Sequence, residues 1–285
     1  MSAVPLTFGV EIELLLKPES QFAKQAINRY GYNPSITCDS PDKTAQDVNR
    51  IAVRRSLADA LEIVGVPAGT QSNRQYSKWI VEDEGCLEEI PGYWRCEIIS
   101  RVLSTEDENN EWQDEIDLLF NAISGNYRIE LTTGCSTHIH ITPYPSLPYT
   151  VEQLRRVMKG VAYYDSALTG IMPADRKDNP YCRPNTQAIT HWRVAVSKVP
   201  QDTWGPFFRI LDRKTSIGAL LLDVLDDRSY SWNFSRVVDE CGTIEFRRAP
   251  GVRTGTTAKH WVAVALGFIA NAMELQDWST EKYIS

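Results

Sequence analysis

Hydrophobic and polar positions alternate strictly over residues 5–16: Leu6, Phe8, Val10, Ile12 and Leu14 fall on one face, Thr7, Gly9, Glu11 and Glu13 on the other. That period of two predicts a half-buried strand. Residues 43–65 switch to helical spacing through Ala45, Val48, Ala52, Leu61 and Val64, and Trp112, Ile116, Leu119, Phe120 and Ile123 repeat it, so two amphipathic helices are expected. Between them, residues 76–103 carry apolar runs broken by Gly85 and Pro91-Gly92, the pattern of short strands joined by turns. Cys135 to Thr142 alternates again, with His138 and His140 sharing the face opposite Thr137, Ile139 and Ile141. A third helix is expected over Val151 to Leu168, and 171–206, rich in Pro, Asn, Arg and Trp, reads as a long ordered loop. Strands near Tyr230 to Val238 and Thr243 to Ala249 precede a last helix with Thr256 or Thr257 as its N-cap. Strands and helices without regular alternation predict an α+β fold with a largely antiparallel sheet, helices packed on one face and the other face polar.

Composition leaves this picture intact and removes several function classes. With 285 residues, 42% hydrophobic and 24% charged, the chain can bury a large core. Length alone would allow two domains, but sheet-based folds of this size are often one, and a single domain over 1–285 is expected. A net charge of −7 with interspersed signs and no basic run argues against a nucleic-acid or anionic-membrane footprint. The first ten residues lack the basic and apolar regions of a secretory signal, and the longest apolar stretch, Trp261 to Ala270, is short of the ~20 residues a span needs. The cysteines at 38, 86, 96, 135, 182 and 241 are scattered, without a C-x-x-C pair, and read as reduced structural thiols of a cytoplasmic protein.

The polar face carries chemistry. Glu11 and Glu13, two apart on one strand, project to the same side roughly 7 Å apart at ~3.4 Å per residue. Other predicted strands add Glu97, His138 with His140, and Glu245 with Arg247. Carboxylates with an imidazole suit Mg²⁺ or Mn²⁺ better than zinc. Each feature also has a plainer reading. The two glutamates could be a solvated face, the H-x-H a zinc or iron pair or two hydrogen-bonded interior residues, and Glu245-x-Arg247 a same-face salt bridge.

Four segments in order, F-G-V-E-I-E (Phe8 to Glu13), C-E-I-I-S (Cys96 to Ser100), G-C-S-T-H-I-H-I (Gly134 to Ile141) and G-T-I-E-F-R-R (Gly242 to Arg248), resemble the amidoligase family. Its relatives are glutamate–cysteine ligase and glutamine synthetase, and the closing helix around W-V-A-V-A-L-G-F is similar too. The resemblance implies a glutamine-synthetase-like fold and an ATP-dependent, ADP-forming carboxylate–amine ligase using Mg²⁺. It further implies metal ligation by Glu11, Glu13, Glu97, His138 and Glu245, with Asp83 of W-I-V-E-D-E-G-C assisting. His140, Arg247 and Arg248 would face the nucleotide phosphates, His140 and Arg247 as catalytic groups. The expected partners are a small carboxylic acid and an amine, and the loop bearing Arg176, Arg183, Asn185 and Arg193 is a place to look for their selection. Two positions depart from the family pattern: Arg101 stands where a proline is usual, and Ser136-Thr137 replace a glycine-hydrophobic pair. No G-x-x-x-x-G-K-[ST] loop is present, so the nucleotide rests on the resemblance. An H-x-H hydrolase or oxygenase, or a catalytically degenerate binding protein of the same fold, are the competing readings.

Overall fold

The alternation at the start of the chain builds β1 (Leu6–Pro18), whose apolar face is fully buried while Glu11 and Lys17 keep solvent contact. This computed structural model describes residues 4–71, 76–107, 110–197, 204–222, 224 and 227–275. Among them eight further strands follow: β2 (Ala68–Gly69), β3 (Trp79–Glu82), β4 (Trp94–Ile99), β5 (Leu103–Ser104), β6 (Tyr127–Glu130), β7 (Ser136–Pro143), β8 (Trp232–Asn233) and β9 (Ile244–Pro250). They make one open sheet in the order β2-β3-β4-β1-β7-β9-β8, with β5 and β6 also pairing with β1. The sheet is mixed. β1 runs antiparallel to β4 and β6, β3 to β4 and β8 to β9, whereas β2 and β3 are parallel. The fold is therefore α+β, as the pattern predicted, with a less uniform sheet.

The chain forms two compact units interleaved in sequence: Gly9–Thr137 with Pro250–Val262, and Met1–Phe8 with His138–Ala249 and Ala263–Ser285. In the 9–137 unit, α1 (Gln21–Asn28), α2 (Lys43–Ile63) and α3 (Glu111–Asn126) accompany the strands, and α2 packs on β2, β3 and β4. Local chemistry sets the starts of α1 and α2. The Ser20 hydroxyl accepts from the Ala23 N–H at 2.9 Å and the Asp42 carboxylate from the Ala45 N–H at 3.0 Å, each relieving an orphan donor of a first turn. Of the positions the spacing predicted, Ala52 and Leu61 are buried, joined by Val53 and Leu57, whereas Ala45 and Val64 are half-buried and Val48 is exposed.

In the 138–249 unit, α4 (Val151–Ile171) begins with a capping box between Thr150 and Gln153. It is followed by α5 (Ala174–Lys177), α6 (Asn185–Ala188), α7 (Thr190–Ser197), α8 (Gly205–Asp212) and α9 (Ile217–Leu221). Most of the stretch expected as a loop is thus short helices, residues 198–203 lying outside the described residues. Four-residue helices such as α5 and α6 are too brief to show an apolar period. Burial of Ile189, Trp192, Phe207 and Phe208, with Trp192 edge-on to Phe207 at 5.4 Å, holds the segment down. The strand expected over 230–238 is cut to two residues because the chain turns into a 3₁₀ helix at Ser235–Val238. The last helix, α10 (Gly255–Glu274), is capped two or three residues earlier than expected, by Thr254, whose hydroxyl accepts from the Thr257 N–H at 3.2 Å.

Asn185 is the pin of this unit. Fully buried, its amide donates to the Trp232 carbonyl at 2.8 Å and accepts from the Trp232 N–H at 3.0 Å, so a side chain acts as the next strand beside β8. Asn185→Ala strands two buried backbone groups at about 1–3 kcal/mol each. An unfolding free energy lowered by roughly 2–6 kcal/mol in a denaturant titration is the expected result, and an unchanged value would show that the pairing is idle.

Candidate functional site

In the 9–137 unit the register decides which carboxylates meet. Glu13 of β1 lies directly opposite Glu97 of β4, which lies directly opposite Glu82 of β3, so three strands put three glutamates in one row. Directly opposed like charges destabilise a sheet unless something compensates. Burial, reinforced by Glu11, Glu13, Glu84 and Glu82, pushes the Glu97 carboxyl up to about 9. Glu13 is buried and oriented, one oxygen accepting from the Ser136 N–H at 2.8 Å and the Ser136 hydroxyl at 2.5 Å. Ser136, one of the two departures from the family pattern, is therefore the residue that aims Glu13. Glu13, Glu84 and Glu97 each offer an oxygen within 4.8 Å of the other two.

Asp83 sits beside this group and is not part of it. One of its oxygens is 3.6 Å from Arg95, and the other is buried without a hydrogen-bond partner. Its neighbours Glu82 and Glu84 supply the carboxylates instead. β3 ends at Glu82, so Asp83 and Glu84 lie beyond its alternation and no period in the sequence separates them.

In the 138–249 unit the centre is Glu245, only 3% exposed. Its Oε2 accepts from Asn233 Nδ2 at 2.7 Å, Asn233 being its register partner on β8. Its Oε1 accepts from the Arg247 guanidinium and lies 3.5 Å from His138 Nδ1 and 3.8 Å from His140 Nε2. His140 Nδ1 is 3.2 Å from the Thr243 hydroxyl, a contact that orients the ring. Asn233 and Thr243 were missed in the sequence because neither residue type stands out in a strand. The expected quartet His138, His140, Glu245 and Arg247 is brought together.

Arg248 is placed differently. It follows Arg247 on β9, so it projects to the other face, and it is completely buried. Its guanidinium donates to the Thr169 hydroxyl at 2.7 Å and to the carbonyls of Lys177 and Arg176 at 3.2 and 3.4 Å. Arg176 in turn donates to the carbonyls of Arg247 and Arg248 at 2.8 and 3.3 Å. The two arginines tie α5 to β9.

The donor chemistry fits the groups the resemblance implies. The clustered carboxylate oxygens of Glu13, Glu84 and Glu97 suit a hard divalent cation. The Arg247 Nε, buried without a partner, is a donor that suits an anion. The family model described as "Putative amidoligase enzyme" matches residues 4–269. The chain belongs to the amidoligase family. Membership makes this amidoligase a ligase-type enzyme, as the four motifs implied. None of the curated proteins compared with it matches the amidoligase. No helix among the described residues is long and apolar enough to cross a membrane, and none of the six cysteines is in a disulfide, with Cys86 and Cys241 exposed.

Proposed function

We propose that the chain is an ATP-dependent, ADP-forming carboxylate–amine ligase with a glutamine-synthetase-like fold, acting on small molecules in the cytoplasm. The observation that carries this reading is the buried Glu245, shared between Arg247 and Asn233, with Arg247 Nε left without a partner. A carboxylate is a poor electrophile, so making an amide in water requires that one of its oxygens become a leaving group. Mg²⁺, or Mn²⁺, would be held by Glu11, Glu13, Glu97, His138 and Glu245, with Glu84 assisting in place of Asp83. When bound it neutralises the phosphate charge that would otherwise repel the acid.

The residues of this chain then have distinct tasks. Arg247 presents a planar fork to the transferring phosphoryl group, Asn233 and Glu245 hold that fork in place, and Ser136 fixes Glu13. His140 lies beside the same carboxylate and would meet the phosphate. Arg248, turned into the core, positions β9. The acid's oxygen attacks the γ-phosphorus as the bond to ADP breaks. The amine then attacks the acyl carbon, phosphate leaves with that oxygen, and the amine's proton passes to a base.

With ¹⁸O-labelled acid the expected products are ADP, amide and inorganic phosphate bearing one label, read by mass spectrometry. Label in AMP would show activation as an adenylate, and turnover without ATP would favour metal-dependent hydrolysis.

A further inference from the structure

Two of the four residues expected to select substrate are scaffolding, Arg176 and Asn185, while Arg183 and Arg193 are not. They line a cavity of about 280 Å³ together with Lys177, Gln187 and one carboxylate, Asp178. Arg183 is held in place by an ion pair with Asp227 and by its position over the Tyr230 ring, 5.6 Å from the centroid. Neither Lys177 nor Arg193 has an ion-pair partner among the described residues. Three cations against one lining carboxylate leave an excess of positive charge even with Asp227 counted.

The cavity does not belong to the Glu245 and Arg247 face. Arg183 bridges to Tyr230 in parallel, so these two side chains share a face. The β8–β9 register pairs Asn233 with Glu245 and Trp232 with Phe246, which sets Ser231 and Arg247 together on the other face. Yet the main chain connects them. The Ser231 N–H donates to the Arg183 carbonyl at 2.8 Å, and the Arg247 N–H donates to the Ser231 carbonyl at 2.9 Å. The Lys177 carbonyl accepts from Arg248.

We propose that this cavity is a second anion site, for a compact dianion carried by a phosphate monoester or a small dicarboxylate, on the side of the β8–β9 ribbon turned away from Glu245. Arg193 and Arg183 offer forks that match paired oxygens, Lys177 a point charge and Gln187 a neutral donor. The assignment does not depend on the ligase reading.

The test is isothermal titration calorimetry on the full chain with inorganic phosphate and, separately, succinate, at matched ionic strength. Saturable one-to-one binding of either is expected, the tighter one identifying the source. Arg193→Ala and Lys177→Ala, both at solvent-reached positions, should each weaken it about tenfold or more, the scale of a lost charged hydrogen bond. Arg247→Lys should leave it within about twofold, since contacts that share no partner act independently. Absence of saturable binding at millimolar anion, or binding unmoved by both cavity variants, overturns the proposal. So does a parallel loss in Arg247→Lys, which would place the anion beside Glu245 and leave the ligase reading standing.

Discussion

Replacing Arg247 by lysine should cut turnover about 10³-fold or more while the chain remains folded, because the charge is kept and the geometry is lost. The arginine spends one NH group on Glu245 Oε1 and keeps its Nε unpartnered. A lysine ammonium could replace the contact to Glu245 or reach a phosphate oxygen, but it cannot hold two oxygens in one plane. Glu245→Gln should fall by a similar factor through the other half of the pair. The measurement is ADP release under saturating acid, amine and ATP, with the melting temperature recorded alongside. If Arg247→Lys turns over near the normal rate, the pair is a plain salt bridge and the clamp assignment fails.

Glu97→Gln should do the opposite to stability: it should raise it. Folding brings the Glu97 carboxyl from an ordinary value up to about 9, so the native state binds a proton that the unfolded chain has released. A raised carboxyl costs nothing below the unfolded value near 4.5. Its penalty grows as pH climbs toward 9, by at most about 1.4 kcal/mol per pH unit and, with the coupling among five carboxylates, roughly 1–3 kcal/mol at pH 7. Glutamine removes the titration. In a chelator, wild type should therefore lose stability between pH 5 and pH 8, and Glu97→Gln should not. The variant should melt roughly 2–10 °C higher at the alkaline end and near wild type at the acidic end. Magnesium should narrow the gap by stabilising the ionised wild type. An offset of equal size at both pH values would mean that Glu97 is not strained by its neighbours.

How much of this was legible follows from where the period of two survives. β1, β7 and β9 show it because each sets an apolar face against one that carries carboxylates, imidazoles or an arginine, although most positions on both faces are buried. Their parity correctly grouped Glu11 with Glu13 and Glu245 with Arg247, and placed His138 with His140. Parity does not separate Asp83 from Glu84 in W-I-V-E-D-E, because β3 ends at Glu82. It does turn Arg248 away from Arg247. The α5 to α7 segment was not legible, since short helices stapled by Trp192 and Asn185 depend on partners distant in sequence. Nor could Ser136 be read as the residue that aims Glu13, because that contact spans 123 positions.

The interleaving of the two units has a bearing on synthesis. Residues 9–137 leave the ribosome before Pro250–Val262, the segment that their unit also needs. That returning segment supplies the Gly251 N–H to the Cys135 carbonyl, Arg253 to Glu130 and Ile129, and Lys259 to Asp117. Gly251 passes so close that a Cβ there would stand 2.8 Å from that of Cys135. The 9–137 part must wait, unfinished, until Pro250–Val262 has been translated, which makes nascent chains dependent on slow long-range closure. A chain cut short before Pro250 would leave that unit incomplete as well.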